Sequence, residues 1–469
     1  MNQSKNDSIQ YFNSIADTRL KWKKRNSFYH KYLEFYYSYI IPQNSSVLEI
    51  GCGTGELLHA VNPSIGVGVD FSERMINIAK NQFPNLQFIH GDMEKLKINQ
   101  TFDYIILSDL VSNLWDIQKV IQNLKQVTTN KTRIIISFYN YLWEPVLKFG
   151  ESLGLKKKQP IQNWLSLSDI ENLLELEGFQ IIKTEKKLLF PKFIPIVNFI
   201  FNKILGNLPY INKLCLINFV VARTVSNPPK DYSVSIIIPA RNEKGNIENA
   251  VKRLPAFGLS QEIIFVEGNS SDQTYDEMIA IRNKYADKNI KVIKQSGKGK
   301  GNAVREGFDV ATGDILMILD ADLTTPPEDL PKFYFAIRNN HGEFINGCRL
   351  VYPMEKQAMR TLNLIANKFF GVYFTYLLGQ RLKDTLCGTK VLTKDNYLKI
   401  VANRKYFGDF DPFGDFDLLF GAAKLNLKIT EIIVRYKDRE YGSTQISRFK
   451  HGWLLIKMSA FAAKKIRFI

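Results

Sequence analysis

Cysteine is scarce in this sequence and scattered: Cys52, Cys215, Cys348 and Cys387, none at CxxC spacing. That placement excludes a disulfide framework and a structural zinc site, and points to a reducing compartment. Long hydrophobic runs are missing as well. The most apolar region, 188–222, is broken by Lys192, Asn198, Lys203 and Lys213. No stretch therefore reaches the ~18 uncharged apolar residues that a spanning helix needs. The first residues, MNQSKNDSIQYFNS, lack the apolar core of a signal peptide. A cytoplasmic protein is expected, with any membrane contact peripheral and at the inner face. Acidic residues are outnumbered, 46 against 63 Lys and Arg, which gives a formal net charge of +17. Such a surface suits nucleic acid, an anionic membrane or phosphorylated substrates. With neither a zinc-ligand cluster nor an RNA-binding signature, nucleic acid is not expected as a partner.

What is present is a globular composition, 45% hydrophobic and 23% charged, over 469 residues. That length predicts two domains. Two short β-branched runs look like first strands of α/β domains: VLEIGCGTG from Val47 and YSVSIIIPARNE from Tyr232. Apolar runs then alternate with helical patterns in each half, as doubly wound α/β folds require. SNPPKDY, with Pro228 and Pro229, reads as a linker. The expected division is 1–226, a linker at 227–231, and 232–469.

In the first half, Gly51, Gly53 and Gly55 follow a strand directly. A loop without Cβ atoms lets the backbone approach a ligand, and the next helix offers free N–H groups. Dinucleotides and S-adenosylmethionine both suit such a loop. Asp70 closes the next strand, where a carboxylate can accept from ribose hydroxyls. Glu49 precedes the glycines. Asp92 and Met93 follow a third strand, placed to bracket an adenine, and Ser108-Asp109 ends a fourth. Tyr11, Trp22, Tyr29, His30, Tyr139, Trp143 and Trp164 are candidates for lining an acceptor pocket, with His30 a candidate general base. Residues 186–213, apolar with punctuating lysines, look like an insertion between the last two strands: a lid, a membrane-facing flap, or packing. VLEIGCGTGEL, GVDFSERMINIAK, HGDMEKL and YIILSDLVSNLWD together resemble the class I S-adenosylmethionine-dependent methyltransferases over roughly residues 10–225. The resemblance implies a Rossmann-like domain in which Glu49, Gly51, Gly53, Gly55, Asp70, Asp92, Met93 and Ser108 hold that cofactor.

In the second half, the apolar strand GDILMILDAD ends in Asp320-Ala321-Asp322. Two carboxylates at i and i+2 leaving a buried strand can turn toward one divalent cation and a diphosphate. Upstream, GKGKGNAVREGF with Lys298 is a glycine- and lysine-rich loop suited to phosphates. IIIPARNE, IIFVEGNSSDQT, GKGKGNAVREGF, ILDADLTTPPEDLP, NGCRLV, DTLCGTK and GSTQISRFKHGW resemble family-2-type glycosyltransferases of the A fold, within them the dolichol- and polyprenyl-phosphate sugar synthases. The likeness spans roughly 232–460. It implies that Pro239, Arg241, Glu243, Glu267, Asp272, Lys298 and Asp320 bind the nucleotide-sugar, and that Asp320 and Asp322 ligate Mg²⁺ or Mn²⁺. Arg349, Lys390 and Arg448 would hold an acceptor phosphate, or Arg448 would act with Lys450 at the diphosphate or the membrane. The chain departs from the pattern at Glu267-Gly268-Asn269-Ser270, at Gln273 and at Thr389. Asp417 is the candidate catalytic base for a hydroxyl acceptor, or else a helix-start aspartate. The C-terminal stretch QISRFKHGWLLIKMSAFAAKKIRFI reads as a basic amphipathic helix, for a membrane surface or for its own domain.

The expectation is a bifunctional enzyme. Its glycosyl transfer is metal-dependent and inverting, from a nucleotide-sugar to a polyprenyl-phosphate or glycan acceptor. Its methylation uses S-adenosylmethionine on a small molecule, sugar or lipid. The rivals are a glycosyltransferase whose first domain only binds cofactor, and a membrane-associated scaffold.

Overall fold

A computed structural model of the chain describes every residue except 1, 96–97, 159–161, 226–227, 352–360, 407–414, 438, 440 and 442–447. Of 2–6, 361–365, 405, 415 and 448–452 it describes the backbone alone. The chain divides into two compact units, Met1–Ser226 and Asn227–Arg467. Within the stretch read as a linker, Asp231 accepts from Arg338 Nε at 2.6 Å.

Among the described residues the first unit forms a seven-stranded sheet in the order β3-β2-β1-β4-β5-β7-β6. Its strands are β1 (Ser46–Ile50), β2 (Ile65–Asp70), β3 (Gln87–His90), β4 (Tyr104–Ser108), β5 (Arg133–Tyr139), β6 (Phe179–Lys187) and β7 (Ile217–Thr224). The first five pair in parallel, and β7 runs antiparallel to both β5 and β6. Leu48, Ile50, Val67, Ile105, Leu107, Ile134 and Ile136 form the centre of its core. These are the continuous apolar runs expected of strands covered on both faces. Local signals set the helix starts. Ser72 accepts from the Met75 amide, Asp116 from that of Lys119, and Ser166 with Asp169 completes a capping box. Two long helices, Asn2–Arg25 and Ser27–Ile40, precede the sheet.

The second unit repeats the plan with a second seven-stranded sheet, again among the described residues, in the order β10-β9-β8-β11-β13-β12-β14. Its strands are β8 (Val234–Ala240), β9 (Gln261–Glu267), β10 (Asn289–Lys294), β11 (Ile315–Ile318), β12 (Phe344–Cys348), β13 (Lys390–Thr393) and β14 (Ile429–Ile433). β13 is antiparallel to its neighbours β11 and β12, while β12 and β14 pair in parallel. Both sheets are thus α/β and mixed, each with a reversed strand beside its parallel centre. In each, strand order reverses at the first strand, β1 or β8. Ligands of open α/β sheets bind beyond the carboxyl ends at such a switch point.

Candidate active sites

Both sites sit on those carboxyl edges. In the first unit β1 runs into Gly51, Gly53 and Gly55, all at positive φ. The Gly53 amide donates to Asp70 Oδ2 at 2.9 Å, and the Ser72 amide to Oδ1 at 2.8 Å, so Asp70 braces the loop from the end of β2. Above it lies the N-terminal helix, held by Asn13, whose Oδ1 accepts from Ser72 Oγ at 2.7 Å. That helix lowers Arg19 onto the loop: a Cβ at Gly53 would stand 3.0 Å from the Arg19 guanidinium.

Two adjoining cavities of about 200 and about 70 Å³ open here. The larger is walled by Gly51, Asp70, Ser108 and Asp109 on one side and by Tyr11, Trp22, His30 and Tyr139 on the other. Glu49 lines the smaller, with Arg19, Lys23 and Cys52. Of the aromatic candidates, Tyr29 joins the same wall by donating to Asp109 Oδ2 at 2.6 Å. Trp143 lies elsewhere and donates its indole N–H to the Leu214 carbonyl, and Trp164 lines a separate surface hollow. Asp92 accepts from the Glu94 amide at 3.0 Å, and Met93 is part of the core beneath the sheet edge.

Charge in these cavities is unusual. Glu49 is buried, and burial pushes its carboxyl up to about 8, with Lys23 the chief offset. Asp109 rises to about 6 for the same reason, eased by the Tyr29 hydroxyl. Burial drives His30 down to about 3, and Lys23 and Arg19 reinforce it, so this imidazole is a weak proton acceptor. Three buried polar atoms here have no hydrogen-bond partner: Arg19 Nε, Glu49 Oε2 and Asp109 Oδ1. Unmatched groups of both signs around a glycine loop suit a ligand with a zwitterionic end. The residues present fit the amino-acid portion of S-adenosylmethionine. Arg19 and Lys23 escaped sequence reading because nothing in a helical, polar N-terminal stretch marks them as facing a loop more than one element away.

In the second unit β11 ends at Ile318, and the chain turns through Asp320 to Leu323, a leucine at φ 53°. Strain of this kind, on the order of 1 kcal/mol, collects at functional turns. Asp320 Oδ1 meets Lys300 Nζ at 2.6 Å. Burial alone would raise its carboxyl, but Lys300, then Arg349 and Lys390, hold it below the usual range. Gly388 packs so closely that a Cβ there would stand 1.9 Å from Asp320 Oδ2. Asp322 Oδ1 accepts from the Thr324 hydroxyl at 2.8 Å, and its Oδ2 meets Arg439 at 2.6 Å. The same guanidinium reaches Glu243 Oε1 at 3.2 Å. Arg439 is thus a shared cation between two predicted site residues, absent from the sequence reading and 117 residues from Asp322.

Around this centre Glu267 accepts from the Ser270 amide at 2.6 Å, and Asp272 from the Thr274 amide at 3.0 Å. Both carboxylates thereby shape the loop after β9. The Glu243 amide donates to the Thr274 hydroxyl at 3.0 Å, which ties the loops after β8 and β9 together. Pro239 is the penultimate residue of β8, Arg241 is exposed beyond it, and Lys298 is exposed beside Lys300. Arg349 is fixed by a bidentate pair to buried Asp384, at 2.7 and 2.9 Å, and stacks over Tyr436. Lys390 is fully buried on β13, its Nζ donating to the Cys387 carbonyl. Asp417 accepts from Arg404 Nε at 2.9 Å on a helix of its own. The side chains of Arg448 and Lys450 lie outside the described residues.

Among the described residues no group of three or more His, Cys, Asp or Glu is gathered for a metal ion. The two-carboxylate set of Asp320 and Asp322 nonetheless has the hard oxygen chemistry of a Mg²⁺ or Mn²⁺ site. Lys300 and Arg439 put positive charge where such an ion would add it.

Two stretches of the chain match transferase families. Residues 41–186 match the family described as "Methyltransferase domain", and residues 235–398 match "Glycosyl transferase family 2". The protein therefore carries one domain of each kind. The chain is 41% identical over 108 residues to a dolichol-phosphate mannosyltransferase of Pyrococcus furiosus, covering 23% of this chain and 30% of that protein. It is 27% identical over 229 residues to glycosyltransferase AglJ of Haloferax volcanii, covering 48% and 71%. The chain thus spans under a third of the first relative's length. A SAM-dependent methyltransferase of Thermotoga maritima shares 15% identity at a TM-score of 0.37, covering 46% of this chain and 99% of that one. So distant a likeness says nothing about activity.

Proposed function

We propose that this chain transfers a sugar from a nucleotide-sugar to a polyprenyl-phosphate acceptor, and a methyl group from S-adenosylmethionine to a product of the same glycan pathway. The observation that carries the first half is the turn Asp320–Asp322, ringed by Lys300, Arg349, Lys390 and Arg439. A ring of fixed cations facing two carboxylates suits an anionic donor and an anionic acceptor together. Asp320 and Asp322 would hold Mg²⁺ or Mn²⁺, whose charge offsets that developing on the departing nucleotide diphosphate. Glu243, Glu267 and Asp272 shape the loops for the nucleotide. Lys298, Lys300 and Arg439 face the diphosphate. Arg349, held flat by Asp384, and Lys390 position the acceptor phosphate. That acceptor is already ionised, so it attacks the anomeric carbon without a general base, and a single displacement inverts the centre. Asp417 is needed as a base only if the acceptor is a hydroxyl.

On the methyl side, Asp70 accepts from ribose hydroxyls, while Glu49 and Arg19 receive the amino-acid end. S-adenosylmethionine supplies an electrophilic methyl carbon. The remaining work is alignment of the acceptor by Tyr11, Trp22 and Tyr139. No helix among the described residues is long and apolar enough to cross a membrane. Exposed Phe369, Val372, Trp453 and Ile456, on the helices Thr361–Leu378 and Arg448–Ala462, support peripheral contact with the cytoplasmic face.

The decisive test is mass spectrometry of lipid extracts incubated with the chain and a panel of nucleotide-sugars, with and without S-adenosylmethionine. A hexose increment on a polyprenyl phosphate is expected. An increment only on free glycan would overturn the acceptor assignment.

A further inference from the structure

We propose that residues 188–214 of the first unit, with the neighbouring helix Glu144–Ser152, form a docking face for an anionic lipid bilayer, and that the methyl acceptor enters from that surface. The second clause rests on the methyltransferase reading; the first does not.

The segment is inside out by the standards of a water-facing loop. Three of its four asparagines, Asn198, Asn202 and Asn207, turn their side chains back to satisfy the backbone. Asn198, buried, accepts from the Ile194 amide and donates to the Lys192 carbonyl at 2.7 Å. Asn202 accepts from the Phe190 amide at 2.7 Å and donates to the Phe190 carbonyl at 2.8 Å. Asn207 donates to the carbonyls of Asn202 and Lys203 and receives Lys187 Nζ at 3.1 Å. With the polar groups met from within, the side chains turned outward are Phe193 (67% exposed), Ile196 (75%), Phe199 (57%) and Tyr210 (81%). Single exposed apolar residues are ordinary; several large ones turned outward from one short segment mark a partner.

Charge identifies that partner. Residues 188–214 contain Lys192, Lys203 and Lys213, all exposed, and not one Asp or Glu. Apolar side chains set among lysines match an anionic leaflet, where the rings enter the headgroup layer and the ammonium groups meet phosphate. The adjoining helix extends the face. Leu142, Val146, Phe149 and Leu153 follow one helical stripe, and all are exposed. Its acid Glu144 is paired with its own Lys148, and Glu151 with Lys156 beyond its end. Trp143 Nε1 donating to the Leu214 carbonyl at 2.8 Å, and Asn140 Nδ2 to that of Lys213 at 2.9 Å, join the helix to the segment. Just past that helix come Lys156 and Lys157, which line the larger cavity. The apolar face therefore leads to the cavity mouth, the geometry expected if an amphipathic, lipid-linked molecule is drawn in head first.

The test uses the full chain. It should co-sediment with phosphatidylcholine vesicles containing about three-tenths phosphatidylglycerol, and at least about tenfold more weakly with phosphatidylcholine alone. Ile196→Asp/Phe199→Asp should weaken binding by about tenfold or more, and Ile196→Trp should show a blue-shifted emission quenched by brominated lipid. Unchanged sedimentation of the double variant, or an Ile196→Trp signal indifferent to vesicles, overturns the docking face. So does a double variant that turns a dimer into a monomer while still binding vesicles, since the face would then join two copies. Methyl transfer into lipid extract should fall in the double variant when the acceptor is in vesicles but not when it is in detergent micelles; equal loss in both overturns acceptor entry. A chain that binds through Ile196 yet transfers no methyl group under any presentation retires the methyltransferase reading and leaves the docking face standing.

Discussion

Asp320 and Asp322 stand two positions apart and meet different cations, Lys300 and Arg439, so neither carboxylate faces the site uncompensated. Asp320→Asn and Asp322→Asn should each lower sugar transfer by roughly 100-fold or more while leaving the fold intact, as circular dichroism would show. Near-wild-type transfer in either would remove the metal mechanism. Glu49 offers a prediction of another kind. Its carboxyl is raised to about 8 by burial, so the folded state holds this proton more tightly than the unfolded chain does. Its stabilising contribution is present below the usual carboxylate range and is lost as pH rises through about 8. A cationic amino group bound beside it favours the ionised form. Cofactor binding near pH 7 should therefore release a proton, read by calorimetry as heats that differ between phosphate and Tris buffers. Glu49→Gln should abolish the difference, and buffer-independent heats in the unmodified protein would contradict the assignment.

Elements matter through what they press against the sites. The turn before β13 carries Gly388, whose missing Cβ leaves room for Asp320 and for Lys300 Nζ. Gly388→Ala should push the carboxylate aside and lower sugar transfer by about tenfold or more, with methyl transfer unchanged. The N-terminal helix performs the matching task in the first unit by setting Arg19 over Gly53. Arg19→Ala should weaken S-adenosylmethionine binding by about tenfold in titration calorimetry, the usual cost of one charge-assisted hydrogen bond. Neither element announces this role in its sequence. A glycine before a strand and an arginine in a polar helix are ordinary locally; only the partner across the gap gives them meaning.

Each unit has its own sheet and its own buried cluster, one centred on Ile50 and Ile105, the other on Ile236 and Met317. Two such cores need not melt together, so calorimetric unfolding of the whole chain should fit two transitions rather than one. For the same reason the activities should separate. Asp70→Ala should remove methyl transfer and spare sugar transfer, and Asp320→Asn the reverse. Loss of both from either substitution would mean that the units act as one machine.

The sequence alone determined the two α/β units, the glycine loop after β1 and the Asp320–Asp322 turn. In each, a short run of residues dictates both backbone course and chemistry: apolar strand, then glycines or carboxylates at its carboxyl end. Tertiary structure alone decided which cations serve those groups, that Met93 belongs to the core, that Asp417 is engaged by Arg404, and that 188–214 turns its apolar side chains outward. These depend on groups as far apart as Glu243 and Arg439, 196 residues along the chain. Periodicity and composition record what neighbours in sequence will do; distance in space, and with it the electrostatics of a site, is fixed only when the sheets have formed.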